Sequence, residues 1–496
     1  MTRYSADLKS LNARALPQWY DEAKFGIFIH WGVFSIPAFA PRAGSISDAF
    51  KENYDRAVAM TPYTEWYQNA IKVPGTPSAD FHASEYGNQP YTAFKEPFLD
   101  GLKQWDPDEW AESFRNAGAK YVVLVTKHHD GFCLWPSNVA NRHEKNWFTE
   151  RDVVGELARA VRAQGMRFGI YYSGGIDWTF NREPLRTLAD FLGSTPGGDY
   201  PAYAMAQTRE LIERYEPSVL WNDISWPTGF DDLLELFADY YNAVPEGVVN
   251  DRWVHASFGR GLLRRKSVRR IVDMLAKRYI RKHPDRVDGV IPQPIPHSDF
   301  RTPEYTRFST IQKKKWEATR GMSHSFAYNR NDRDEDYADP ETLLSDFIDG
   351  VSKGGNLLLN VGPRGFDARI PPQQLDRLKF FGDWLASNGD AVYGASPVYP
   401  LTAPADGERG SSDTETANGM PVRFTQKDGR TNLIILGRPK GDRIAIEGTR
   451  LSGTGIHLSS KSPVGVHLEG NNTILTFHAA LEDEFAPVVS IKSTDV

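Results

Sequence analysis

Apolar residues along the chain fall into two patterns that alternate. Compact, unalternating runs read as strands buried on both faces: FGIFIHW (Phe25 to Trp31), YVVLVTKHHDGF (Tyr121 to Phe132), RFGIYYSGG (Arg167 to Gly175), SVLWND (Ser218 to Asp223), GVVNDRW (Gly247 to Trp253), WEATRGMSHSFAYN (Trp316 to Asn329) and NLLLNVG (Asn356 to Gly362). Between them, helical spacing recurs over Asp106 to Ala119, Val153 to Gln164, Tyr203 to Arg214, Asp231 to Asn242 and Pro340 to Val351. This alternation predicts an α/β fold with a parallel sheet. About seven or eight strands favour a (β/α)8 TIM-like barrel over an open doubly wound sheet. No GxGxxG or Walker loop supports nucleotide binding. Beyond Tyr393 the texture changes to short alternating runs, TNLIILGR, RIAIEG, VGVHLEG and TILTFHA, separated by turn signals such as Lys-Gly-Asp and Gly-Asn-Asn. These predict a C-terminal antiparallel β-sandwich. The expected domains are a barrel over 1–394 and a sandwich over 395–496.

Polar groups close the apolar runs. His30 ends the first, His128 and His129 the second, Tyr171 and Tyr172 lie late in the third, Asp223 ends the fourth and Arg252 the fifth. In a barrel those ends converge on one face, so residues far apart in sequence meet in one pocket. Adjacent strand residues point to opposite faces, which sets His128 against His129; HExxH spacing is also absent, so no metal site is expected. Cys133, the only cysteine, excludes an internal disulfide and reads as a buried small hydrophobe. A Gly-x-Ser-x-Gly elbow is absent too. Carboxylates remain, accompanied by Trp31, Trp66, Trp221 and Trp226, whose rings suit the C–H face of a sugar. Two carboxylates with aromatics in a barrel mouth point to glycoside hydrolysis without a cofactor.

Composition narrows the picture. Forty per cent hydrophobic residues over 496 positions suffice for a large core and more than one domain. A net charge of -6 argues against nucleic acid as a partner. The N-terminus has no apolar signal region and no run is long enough to span a membrane, so the expected location is cytoplasmic, or secreted if a leader was trimmed. Charge is segregated: the stretch 254–298 holds 11 Lys plus Arg against 3 Asp, leaving 47 basic and 61 acidic residues elsewhere. Within it, Gly261 to His283 carries Leu263, Val268, Ile271, Leu275 and Ile280 at near-helical spacing. This basic amphipathic insertion is expected to pack on the barrel with a solvated basic face, to cover the pocket, to join subunits into a homo-oligomer, or to meet an anionic glycan or membrane surface.

Taken together, FGIFIHWGVFSIP, TEWYQN, AGAKYVVLVTKHHDGFCLW, RFGIYYSGGIDW, LWNDISWP, VNDRW, DFRTPEY and SKGGNLLLNVGPRGFDARIP resemble the α-L-fucosidases of glycoside hydrolase family 29, from about Trp19 to about Tyr393. The resemblance implies a retaining, exo-acting enzyme that hydrolyses terminal α-L-fucosyl linkages of oligosaccharides or glycoconjugates through a covalent fucosyl-enzyme. Asp223 matches the nucleophile. Glu304 matches the general acid/base of relatives with a comparable segment, and Glu65 is the competing acid. His30, Glu65, Trp66, His128, His129, Tyr171, Trp221 and Arg252 match the fucose-binding shell, and Phe28 and Phe326 match the wall that receives the sugar's methyl group. The pattern departs from the family in the insertion between Arg252 and Asp299. A catalytically silent fucose-binding protein, or a glycosidase for another fucose-configured sugar, is the alternative; binding alone needs no carboxylate at position 223.

Overall fold

The computed structural model describes residues 3–42, 50, 53–257, 261–282, 294–398, 413–481 and 484–493. Seven parallel strands are named in chain order: β1 (Phe25–Ile29), β2 (Tyr121–Lys127), β3 (Arg167–Ser173), β4 (Val219–Asp223), β5 (Val248–Val249), β6 (Trp316–Arg320) and β7 (Gly355–Val361). They form one sheet in the order β5-β4-β3-β2-β1-β7-β6. The gap between its edges is filled by the extended segment 299–305. Asp299 N–H donates to Val249 O at 2.9 Å, Arg301 N–H to Lys315 O at 2.9 Å and Thr319 N–H to Pro303 O at 3.0 Å. Pro303 has no N–H to give, and Thr302 N–H is taken by Asp251 Oδ1 at 3.0 Å, so this closing strand is held by isolated bridges. Eight extended segments thus close a barrel.

Alternation explains what fills it. Tyr121, Val123 and Val125 point inward with Phe28, Tyr171, Trp221, Phe300 and Leu358, while Val122 and Leu124 face the surrounding helices. Both sets are buried, so the strand shows no polar alternation. Gly26 makes room for an inner ring: a Cβ there would stand 2.5 Å from the Tyr121 side chain. The strand expected over Gly247 to Trp253 shrinks to Val248–Val249. Beyond it the Asn250 side chain takes over, its Oδ1 accepting from Asn222 N–H at 3.0 Å and its Nδ2 donating to Asn222 O at 2.8 Å. Polar side chains thereby continue the pairing and free the strand ends to turn.

The C-terminal strands, from Thr414–Glu415 to Val488–Ser493, form an antiparallel sheet. Residues 414–417 pair both with Pro421–Lys427 and with Arg443–Ile446, which folds the sheet around Val422, Phe424, Leu433, Ile444, Leu475 and Val489. It is fastened to the barrel at buried Asp349, in helix Pro340–Ser352, which binds Lys353, Arg307 (2.7 Å) and Arg423 of the sheet (2.5 Å).

The basic segment forms a helix over Lys266–Lys282, and His283 lies outside the described residues. Of the uses expected for it, packing with only a basic face in solvent is corrected. Ile271 and Leu275 face solvent, because Arg269, Asp273 and Lys277 have acidic, hydroxyl and backbone partners on the barrel and turn the polar edge inward.

Removing Asp349 takes away the acid shared by three cations, one of them the buried Lys353, while Asp346 stays paired with Arg307 and Asp413 with Lys353 and Arg423. Asp349→Ala is therefore expected to destabilise the chain by about 1–2 kcal/mol, read as a lowered midpoint of chemical denaturation.

Candidate active site

The C-terminal ends of the strands converge as the barrel geometry requires. Phe28 and His30 come from β1, Tyr171 from β3, Trp221 and Asp223 from β4, and Arg252 from the turn after β5. Glu304 comes from the closing segment 299–305, and Phe326 from the loop after β6. Glu65 and Trp66 enter on the short helical turn Thr64–Trp66. His128 and His129 also line this pocket, with ring centroids 4.1 Å apart. Their expected divergence fails because β2 ends at Lys127 and both lie in the turn beyond it, where strand alternation no longer applies. The twelve residues matched to the family's site thus border one pocket. Trp31 and Trp226, also expected as sugar-stacking rings, do not: Trp31 is buried against Trp105 and Trp110, and Trp226 against Trp253. Tyr63, Phe191, Ile224 and Thr319 border it as well and were missed. Tyr63 had a signal, an aromatic two positions before Glu65; the others look like core or loop.

One guanidinium organises the charged groups. Arg252 Nη1 lies 3.1 Å from Asp223 Oδ1 and Nη2 lies 2.9 Å from Glu304 Oε2. Its position is fixed by Thr302, which receives Nε on Oγ1 at 3.0 Å and Nη2 on its carbonyl at 3.2 Å, and by the Trp221 ring, 4.8 Å from Cζ. Thr302 Oγ1 in turn donates to Asp251 Oδ1 at 2.7 Å. Asp223 is held at both oxygens: Oδ1 also accepts from Ile224 N–H at 2.8 Å, and Oδ2 accepts from the Tyr171 hydroxyl at 2.9 Å.

The backbone is strained directly after each carboxylate. Ile224 has φ 67° and Tyr305 has φ 50°, the left-handed region that a β-branched or bulky side chain avoids. Such strain of about 1–3 kcal/mol persists where surrounding contacts dictate the conformation, and here it turns the chain sharply so that both carboxylates stay in the pocket.

Burial and partners separate the acids. Burial alone raises the Asp223 carboxyl, but Arg252 and the hydrogen bonds from Tyr171 and Ile224 outweigh it and hold it below the ordinary aspartate value. Glu304 shares the same arginine, yet burial and the charge of Asp223 prevail over Arg252 and Tyr63, and its carboxyl is raised. Glu65 is pushed up to about 7, mainly by burial, against hydrogen bonds from the N–H of Ala327 and the hydroxyl of Ser325.

The histidines are neutral. Burial lowers His30 to about 4, His129 to about 3 and His128 well below the ordinary value. Their tautomers follow from the network. Asn360 Nδ2 donates to Phe326 O, so its Oδ1 accepts from His30 Nδ1–H at 2.5 Å. Ser173 spends its proton on Ile176 O, so its Oγ accepts from His129 Nδ1–H at 2.6 Å. The Nε2 atoms of His30 and His129 are thereby acceptors for hydroxyl protons. An ionised acid, a raised acid, neutral acceptors and aromatic walls in one pocket make a site for double displacement at a sugar's anomeric carbon.

Comparison with known proteins gives the same answer. The α-L-fucosidase family profile matches residues 1–390. The tissue α-L-fucosidase of Homo sapiens is 34% identical over 402 residues, covering 80% of this chain and 73% of that protein. Plasma α-L-fucosidase of Homo sapiens is 32% identical over 405 residues, covering 79% and 72%. The crystal structure of Thermotoga maritima α-fucosidase with a mechanism-based inhibitor superposes with a TM-score of 0.80 at 39% identity, covering 99% of this chain and 100% of that one. The cytoplasmic location expected from the sequence is corrected by these relatives: one is a plasma protein, and the lack of an apolar N-terminal region does not support a cytoplasmic assignment against it. Among the described residues no helix is long and apolar enough to cross a membrane. By profile, sequence identity and superposition, the chain belongs to the α-L-fucosidase family, retaining glycoside hydrolases that act on fucosylated glycans.

Proposed function

We propose that Asp223 is the nucleophile and Glu304 the general acid/base of this α-L-fucosidase. The observation that carries the assignment is the guanidinium of Arg252 bridging two buried carboxyls, one held low and one raised. In the first step an Asp223 oxygen bonds to the anomeric carbon as the glycosidic C–O bond breaks, and the leaving oxygen takes the proton of Glu304. Asp223 is then an uncharged ester. The repulsion that helped to raise Glu304 disappears, leaving Arg252 to favour its carboxylate. Glu304 next takes a proton from water, the water oxygen bonds to the anomeric carbon, and the Asp223 carboxylate departs with retention. Glu65 is the competing acid because it too is raised.

For substrate binding, the Nε2 atoms of His30 and His129 accept from fucose hydroxyls, with His128, Glu65 and Trp66 completing that side. Tyr171 orients Asp223, and the Trp221 ring supports the Arg252 guanidinium. Phe28 and Phe326, both buried against His30, form an apolar wall for the C6 methyl group. We also infer a division near residue 394, supported by the end of the family match at residue 390 and by the separate core of the C-terminal sheet. A silent fucose-binding protein is not favoured. A homo-oligomer through the basic insertion would compete with other uses of that surface.

Asp223→Gly should lower turnover of an aryl α-L-fucoside by roughly 10⁴-fold or more, and azide should restore release with a β-fucosyl azide product; rescue that yields the α-azide would remove Asp223 from the role. Glu304→Ala should cost roughly 10²–10⁴-fold on substrates with poor leaving groups and little in the first step with activated aryl fucosides. Equal loss on both moves the role elsewhere.

The pH dependence has a definite sign. Asp223 acts ionised, so kcat/KM falls as pH drops through its depressed value. Glu304 acts protonated, so activity falls as pH rises through its elevated value. Glu65, near 7, adds a step there that Glu65→Gln should remove while the limbs set by Asp223 and Glu304 persist. If that variant abolishes the entire alkaline limb, Glu65 is the acid.

A further inference from the structure

The helix Lys266–Lys282 carries seven Lys and Arg and a single acid, Asp273. That acid anchors it. Asp273 Oδ1 accepts from the Tyr54 hydroxyl at 2.9 Å and from Ala189 N–H at 3.2 Å, and Oδ2 accepts from Thr187 Oγ1 at 3.0 Å. Lys277 pairs with Asp55 at 2.6 Å and Arg269 with Asp190 at 3.4 Å. The polar edge therefore grips the short helix Leu188–Leu192 and the loop before it. On the opposite side stand Ile271, Met274, Leu275 and Tyr279, at 57%, 62%, 59% and 52% exposure the four most exposed large apolar side chains among the described residues. Their spacing places them on one helical face. Arg270, Arg278, Arg281 and Lys282 are interleaved with them, and none makes an ion pair with another described residue. A helix that serves only the barrel's core would be turned the other way.

We propose that this face docks on an anionic lipid surface. Each class of side chain selects the partner. Ile271, Met274 and Leu275 need a nonpolar phase to enter, which an acidic protein loop or a soluble polyanion lacks. The cations need negative charge beside that phase. A two-fold pairing with a second copy would cover the apolar residues but set the cations of one copy against those of the other. Anionic headgroups over an acyl boundary meet both demands, in the manner of an interfacial helix. Position adds a consequence. The docked helix binds the backbone at Ala189, and Phe191, two residues on, lines the active pocket beside Trp66 at 6.1 Å. Lipid docking holds this wall of the pocket close to the membrane, where fucosylated glycolipids are the accessible substrates; that last clause rests on the fucosidase activity, whereas docking itself does not.

The test is flotation of the full chain, without substrate, with vesicles of phosphatidylcholine alone or mixed with phosphatidylserine. Binding is expected only to the mixed vesicles and should weaken as salt is raised. Arg278→Gln and Arg281→Gln should each weaken partitioning roughly fivefold. Ile271→Ser combined with Leu275→Ser should abolish it. Hydrolysis of a soluble aryl fucoside should stay unchanged in every variant, which shows that the barrel is intact and tests the activity separately. No binding to the mixed vesicles, or equal binding to both kinds, overturns the proposal. So does a lipid-free dimer in sedimentation that Leu275→Ser dissociates, which would assign the face to a second copy.

Discussion

A buried carboxylate is tolerable only if something in the fold offsets the loss of water, and here one guanidinium performs that service for two of them. Arg252 cannot neutralise Asp223 and Glu304 equally. Asp223 has two further advantages, in the Tyr171 hydroxyl and the Ile224 amide, so the charge settles on it and the proton on Glu304. The asymmetry that the chemistry needs is thus a consequence of how one cation is shared. The placement of that cation depends on closure of the barrel, since Thr302, which fixes it, lies on the closing segment and is itself fixed by Asp251 beyond β5. Folding and ionisation state are joined through three consecutive links, Asp251 to Thr302, Thr302 to Arg252 and Arg252 to the acids.

The neutral half of the pocket is built by a different principle. Histidine would be a poor sugar ligand if it titrated within the working range, because its hydrogen-bonding sense would change with pH. Burial removes that ambiguity for His30 and His129, and Asn360 and Ser173 each hold one tautomer. Both second partners are polar residues placed by strands, Asn360 by β7 and Ser173 by β3, so the sugar-facing atoms inherit the rigidity of the barrel.

Much of this was legible along the chain because barrel strands present their last residues to one place. His30, Tyr171, Asp223 and Arg252 could be chosen from where apolar runs stop. Periodicity failed where the strand had already ended, as at His128 and His129. It also failed where side chains replaced the ladder, as at Asn250, so that a strand expected through Trp253 stopped at Val249. Phe191 and Ile224 carried no visible signal, since an apolar residue lining a pocket and one filling a core read alike. Which of the four uses open to the basic helix applies stayed undecided for a related reason. Its apolar spacing was clear, but which side of an amphipathic helix meets the barrel depends on partners such as Tyr54, Thr187 and Asp190, distant in sequence and therefore invisible to any local pattern.

The closing segment 299–305 joins its neighbours through scattered bridges, with Pro303 and the committed Thr302 interrupting the ladder just before Glu304. A strand with few obligations to its neighbours is cheap to rewrite. Lengthening or shortening the chain ahead of it disturbs no regular register, which is where the basic insertion enters, while β4 and its aspartate remain locked between paired strands. Evolution on this scaffold is therefore free to relocate the proton donor while the attacking group stays where it is, and laboratory efforts to alter leaving-group preference have their most permissive stretch of backbone here.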